Sequence, residues 1–322
     1  MKHHFRSIAF GVCALFAVTV SAQEFPTRPI TMVVPYPPGG ATDTLARIVS
    51  KSLTAQFGQA VVVENKAGAG TIIGAQYVAN AAPDGYTILI TGNTTFTINA
   101  ALKSKLPYDP LKSFTPLATI GGNSLVMLAN LAVPASNVKE VVAMAAKDPG
   151  KHGFGTFGLG TSTHFAGEMF QTLSNTKLNH VPYKGSAPAM ADLLGGQIPF
   201  TFDTTIAAGP QLAASKVKAI AVTTKARSRS LPTVPTFAES GYPEFDLSIW
   251  IALVAPKGLP EAVRAKLEKA LAEVTRDPIS RAELEKTGLD VDFKPGAAYE
   301  PAVVKETAVL KSFVQRAGIP VE

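Results

Sequence analysis

From Ile30 onward the chain alternates short apolar runs with amphipathic stretches of helical period, a rhythm that restricts it to layered α/β architectures. Ile30 to Val34 is a near-continuous apolar run, which suits a strand buried on both faces. Leu45, Ile48, Val49, Leu53 and Phe57 follow at helical spacing, with Gly58 placed to end the helix. Val61 to Val63 predicts a second strand, residues 70–82 a second helix, and Thr87 to Thr91 a third strand after the Asp84-Gly85 turn. The pattern restarts near Leu125 to Leu128, with strands expected around 155–157, 181–183, 200–202 and 218–222. Helices are expected between them, notably over 165–173 and 187–194. Ser248 to Ala255 is a further apolar strand, and the rest is largely helical. Mainly parallel sheets flanked by helices follow from this order.

A chain of 322 residues is more than one hydrophobic core usually supports, so two lobes are expected. The C-terminal segment has little strand of its own and must pack on a sheet built earlier. That reasoning makes lobe 1 discontinuous, 23–122 with 251–322, and leaves 123–250 as lobe 2. Two crossing strands then form a hinge, near 120–125 and 245–255, and a hinge between α/β lobes suits closure on a ligand.

Met1 to Arg6 carries two fixed positive charges, Ser7 to Val20 is uncharged and mostly apolar, and Val20-Ser21-Ala22 ends in small residues. These are the three regions of a secretory signal peptide, with cleavage expected after Ala22 and export to the periplasm. The apolar run falls short of the about 20 residues that a membrane span needs. Cys13, the only cysteine, lies inside that segment, so disulfides, thiol catalysis and cysteine-ligated metals are not expected in the exported chain. Loss of Lys2 and Arg6 lowers the formal net charge from +6 to +4. The remaining basic residues are scattered, which argues against nucleic acid as a partner and is compatible with a small anion.

Two loops have the composition of an anion site. Tyr36, Pro38, Gly39, Gly40, Ala41 and Thr42 join the first strand to the first helix, and the glycines leave peptide N–H groups uncovered there. A helix N-terminus holds unpaired donors and a partial positive charge. Asp43, next in line, is expected to order the loop or a water rather than touch an anion. In the second lobe, Gly160, Thr161, Ser162, Thr163 and His164 repeat the construction, and one N-cap would need only one of the three hydroxyls. Phe157 precedes this loop. Asn93, Tyr183 and Asp203 end strands and are secondary candidates, with Asp203 able to accept from a ligand donor or to cap the next helix.

Enzyme readings fit poorly. Gly153-x-Gly155-x-x-Gly158 matches a dinucleotide fingerprint literally, but no acid ends a second strand at the right distance. Ser162 and His164 are two residues apart at a helix start and lack the nucleophile-elbow pattern of a hydrolase. His152, His164 and His180 have no metal-ligand spacing, so neither metal nor cofactor is expected.

An ordered set of motifs narrows the reading. These are Pro38-Gly39-Gly40 with Asp43, then Glu64-Asn65-Lys66-Ala67-Gly68-Ala69-Gly70 and Pro83-Asp84-Gly85-Tyr86-Thr87. Val181-Pro182-Tyr183-Lys184-Gly185 with Pro188-Ala189, Pro199 to Asp203, and Pro232 to Thr236 with Glu239-Ser240-Gly241 complete it. From about Arg28 to the C-terminus the chain resembles the Bug receptors, the TctC-like solute-binding proteins of tripartite tricarboxylate transporters. The resemblance implies a two-lobed periplasmic-binding-protein type II fold, a small carboxylate as ligand and a membrane permease as partner; a monomer is expected. It also implies that the loops matching Tyr36–Thr42 and Gly158–His164 hold the carboxylate. Phe157-Gly158-Leu159 is bulkier than the small polar residues often found there, which favours an aromatic or partly apolar acid over citrate.

Overall fold

The computed structural model describes residues 25–321, so the signal peptide expected over 1–22 lies outside the described residues. The first half of the chain gives β1 (Ile30–Val34), α1 (Ala41–Phe57), β2 (Val61–Asn65), α2 (Ile72–Ala79), β3 (Thr87–Gly92) and α3 (Asn99–Leu102). A wide helical turn over Thr94–Ile98 leads into α3. Then come β4 (Phe114–Asn130), α4 (Val138–Lys147), β5 (Gly153–Thr156), α5 (Ser162–Ser174), β6 (Asn179–Pro182), α6 (Ser186–Leu194), β7 (Phe200–Thr204), α7 (Thr205–Ala213) and β8 (Val217–Val222). The chain closes with β9 (Ser248–Pro256), α8 (Glu261–Arg276), α9 (Pro278–Lys286), β10 (Asp290–Pro295) and α10 (Tyr299–Ala317).

The fold is the two-lobed type II arrangement of periplasmic binding proteins, and β4 organises it. Residues 114–124 of this 17-residue strand pair antiparallel with β9, whereas residues 125–130 pair with β7 and β8. One sheet is therefore ordered β2-β1-β3-β9-β4-β10 and the other β8-β4-β7-β5-β6. Parallel pairing holds for β2-β1-β3 and for β7-β5-β6. The antiparallel share is larger than strand–helix alternation suggests, because β4 and β9 run in opposite directions and bring antiparallel neighbours with them.

Local sequence explains the elements that position the site. Leu45, Ala46, Val49 and Leu53 bury one stripe of α1 against β1 and β2, and Gly58 ends the helix in the left-handed region as expected. The C-terminal helices α8 and α9 pack on α1, and α10 packs on α3. β10 is a strand the sequence reading left inside a helical tail; Asp290, Val291, Lys294 and Pro295 pair it with β4, and Val291 is buried. Of Val303, Val304, Ala308 and Leu310, which the sequence spaces as an apolar stripe, Val303 and Leu310 bury together with Phe313 and Val314, whereas Val304 and Ala308 are exposed. Gly121 sits beside a register shift in β4 at φ +151°, where a Cβ would collide with the Asp290 carbonyl oxygen. Glycine there lets β10 close on the crossing strand. Among the described residues no helix is long and apolar enough to cross a membrane.

Candidate ligand-binding site

The β1–α1 loop is held by one carboxylate. Gly40 precedes α1 and no side chain caps the helix, so its first-turn N–H groups have no intrahelical acceptor. Asp43, 3% exposed, accepts from the Gly39 N–H at 3.0 Å, from Asn65 Nδ2 at 3.0 Å and from Arg47 Nε at 2.9 Å. Burial pushes its carboxyl up, but the bonds from Arg47, Gly39 and Asn65 outweigh it and hold the pKa below the ordinary aspartate value. Asp43 thus fixes the loop, and the Gly39 N–H is committed to it.

The β5–α5 loop is propped by hydroxyls and two histidines. Thr161 caps α5, accepting from the His164 N–H at 3.4 Å and donating to the Gly158 carbonyl at 2.7 Å. Thr163 Oγ1 accepts from the Phe157 N–H at 2.8 Å. His164 Nδ1 accepts from the Gly160 N–H at 3.3 Å, and its ring stacks on His180 with centroids 4.3 Å apart. His180 Nε2 lies 2.7 Å from Thr156 Oγ1, which also takes the Gly158 N–H at 3.2 Å. Burial, then the neighbouring His164, pull the His180 pKa down to about 4. Two of the three predicted hydroxyls therefore serve the backbone. The third residue, Ser162, meets the other lobe: its N–H donates to Thr94 Oγ1 at 3.2 Å.

These loops converge on one interlobe cavity. Tyr36, Pro38, Gly40, Ala41, Thr42, Phe157 and Ser162 line it, all expected from sequence. Burial raises the Tyr36 hydroxyl pKa against the opposing effect of hydrogen bonds with Thr94 and Thr91. Pro37, inside the expected Tyr36–Thr42 loop, and Gly92 and Thr94, from the Thr91–Thr94 segment that the sequence offers as a lesser polar contact, also line it. The sequence reading missed Leu45 of the first lobe and Asn123, Ile249 and Ile251 of the crossing strands. Ser186, Ala187, Thr204 and Ile206 come from the starts of α6 and α7. The Gly185-Ser186 and Thr204-Thr205 helix starts carry the same glycine and hydroxyl signal as the predicted loops. Leu45, Ile249 and Ile251 carry none, because a cavity-wall aliphatic has the same local pattern as a core one.

The other candidates are not part of the lining. Gly39 faces an adjoining groove. Asn93 is turned away, donating to the Ser248 carbonyl at 2.9 Å and to Glu306 Oε1 at 2.8 Å. Gly160, Thr161, Thr163 and His164 sit behind the loop they support. Tyr183 donates to Asp192 Oδ2 at 2.7 Å. Asp203, fully buried, lies one layer back, accepting from Ser186 Oγ at 2.8 Å and from its neighbour's Thr204 N–H at 2.7 Å. Further contacts brace the lobes together: Gly185 against Pro37, the Gly70 backbone against the Leu159 carbonyl, and Phe165 against Phe313 with centroids 5.7 Å apart.

The geometry also bears on the rival readings. Gly153 and Gly155 lie inside β5, whereas a dinucleotide fingerprint needs them in the turn beyond the strand. His164 is committed to Gly160 and His180, away from a base position for Ser162. Among the described residues no cluster of His, Cys, Asp and Glu could hold a metal.

Residues 45–318 match the tripartite tricarboxylate transporter family of receptors, TctC. The chain belongs to the TctC family. The periplasmic binding protein BugD has the same fold at TM-score 0.88 and 36% identity, covering 92% of this chain and 99% of BugD. Rpa4515 of R. palustris, solved with adipate, matches at TM-score 0.88 and 31% identity over 92% of this chain and 99% of its own. MatC of Rhodopseudomonas palustris, solved with bound malate, matches at TM-score 0.86 and 32% identity over 90% of this chain and 100% of its own. TctC proteins are solute-binding receptors, and this chain is a receptor of that kind and not an enzyme.

Proposed function

We propose that this TctC receptor is exported to the periplasm, closes its lobes around a small carboxylate and delivers it to a tripartite tricarboxylate-type permease. The class of ligand is a dicarboxylate, an acidic amino acid or an aromatic acid, the last favoured by Phe157 in the cavity wall. The observation that carries the reading is the convergence of two helix starts, the uncapped α1 and the Thr161-capped α5, on one interlobe cavity. Backbone N–H groups, Thr42, Thr94 and Ser162 can supply donors to a carboxylate, and the helix dipoles favour its charge. The adipate and malate bound by Rpa4515 and MatC support the same class here. In this reading 23–122 with 251–322 and 123–250 move as two bodies about β4 and β9.

A thermal-shift panel of mono-, di- and tricarboxylates, amino acids and aromatic acids tests it, because a ligand that binds the folded state raises apparent stability. At least one carboxylate is expected to raise the melting temperature. Silence across the whole panel would overturn the reading.

A further inference from the structure

We infer that the ligand is a monocarboxylic acid whose body is apolar and carries an uncharged hydrogen-bond donor, a hydroxyl above all. This rests on the carboxylate-receptor reading and narrows it. Much of the cavity wall is aliphatic: Leu45 from α1, Ile206 from α7, and Ile249 and Ile251 from β9. A second carboxylate buried against these side chains would lose its water.

Two polar side chains at this end, Ser186 and Asn123, present acceptors. Ser186 lines the cavity, but its hydroxyl proton is donated to Asp203 Oδ2 at 2.8 Å, so the oxygen has only lone pairs left to offer. Behind it stands a carboxyl with no exposed surface, whose oxygens are taken up by Ser186 and the Thr204 N–H. Asn123 lines the cavity from β4 and is 5% exposed. Its Nδ2 donates to the Ser124 carbonyl at 3.1 Å, leaving Oδ1 buried with no partner. A buried acceptor without a donor is costly, and a ligand hydroxyl is the group that satisfies it. Every side chain that lines the cavity is uncharged at neutral pH, so the carboxylate is met by helix starts and hydroxyls and the body by aliphatic walls and acceptors. Burial raises the Asp203 pKa to about 7, which leaves the acceptor character of the Asp203–Ser186 pair strongest at and above neutrality.

The test is calorimetric titration of the protein purified from the periplasm, with two pairs matched in length. The pairs are 6-hydroxyhexanoate with adipate, and 4-hydroxybenzoate with terephthalate. The hydroxy acid is expected to bind about tenfold or more tightly than its dicarboxylate in at least one pair. Equal or tighter binding of the dicarboxylate in each pair overturns the inference and leaves the carboxylate-receptor reading standing. No heat from these four, together with silence across the wider acid panel, overturns both. Asp203→Asn supplies a second readout. With an amide behind it, Ser186 is freed to donate toward the cavity, so the preference for the hydroxy acid is expected to shrink by about tenfold through a gain in dicarboxylate affinity. An unchanged preference in a folded Asp203→Asn protein removes Asp203 and Ser186 from the assignment.

Discussion

The N–H of Ser162, first residue of α5, donates to the Thr94 hydroxyl at 3.2 Å and so ties the helix start of one lobe to the loop after β3 in the other. Thr94 also meets Tyr36, which places three cavity residues in one polar chain across the cleft. In the proposed function, closure and ligand contact use the same groups. Thr94→Val keeps the shape and removes the oxygen. A single hydrogen bond is worth about 1 kcal/mol net, so carboxylate affinity is expected to fall about fivefold to tenfold by calorimetry. The melting temperature without ligand should fall by about 2–4 °C, as the loss of one such bond implies.

Gly70 reports on how closely the lobes must approach. It has φ +60°, and a Cβ there would lie 2.9 Å from the Leu159 carbonyl oxygen of the opposite loop. Gly70→Ala is expected to strain the backbone by about 1 kcal/mol and to hold the lobes apart. Small-angle scattering with saturating ligand should give a larger radius of gyration than for the wild type, with weaker binding.

Asp203 sets a pH dependence of stability. Burial raises its pKa from 3.8 to about 7 in the folded protein. Between those values the folded chain keeps a proton that the unfolded chain has released, so stability falls as pH rises through the window. The loss is of the order of 4 kcal/mol at most, and Asp203→Asn lacks it. Denaturant melts at pH 4, 6 and 8 should therefore show the variant gaining on the wild type as pH increases. A constant difference would mean that Asp203 does not titrate in this range.

Glu306 anchors the return crossing strand. Its Oε2 accepts from Trp250 Nε1 at 2.5 Å and its Oε1 from Asn93 Nδ2 at 2.8 Å, while Trp250 stacks on Phe96 at 5.8 Å. Burial raises the Glu306 pKa against the hydrogen bonds from Asn93, Trp250 and Thr97. Glu306→Ala leaves Trp250 Nε1 without its acceptor and Asn93 Nδ2 with only the Ser248 carbonyl, and a loss of about 2–3 kcal/mol is expected in urea melts. Trp250 is the only tryptophan, so its emission should report the change directly.

How much was legible depends on the range of the interaction. The Ile30–Val34 strand, the α1 stripe and the Gly58 stop are local patterns, and each was readable. The first half of β4 was legible only near 120–125, as a crossing strand. Phe114 to Thr119, with Pro116, carries no clear strand pattern, yet it is strand because β9 takes up its backbone groups and β10 pairs with Ala118 and Thr119. The Thr161–Thr163 run announced a donor-rich helix start, but not which hydroxyl would serve the ligand and which the loop.

The sequence by itself determined the α/β alternation, the two glycine- and hydroxyl-rich helix starts and the family, because each is written in short-range spacing or an ordered set of motifs. Only the tertiary structure decided the far wall of the cavity. Leu45, Ile249 and Ile251 look like ordinary core residues along the chain, and Asn123 looks like any polar residue of a crossing strand. What makes them a wall is the place where β4 and β9 cross between the lobes, a strand register fixed by pairings more than a hundred residues apart.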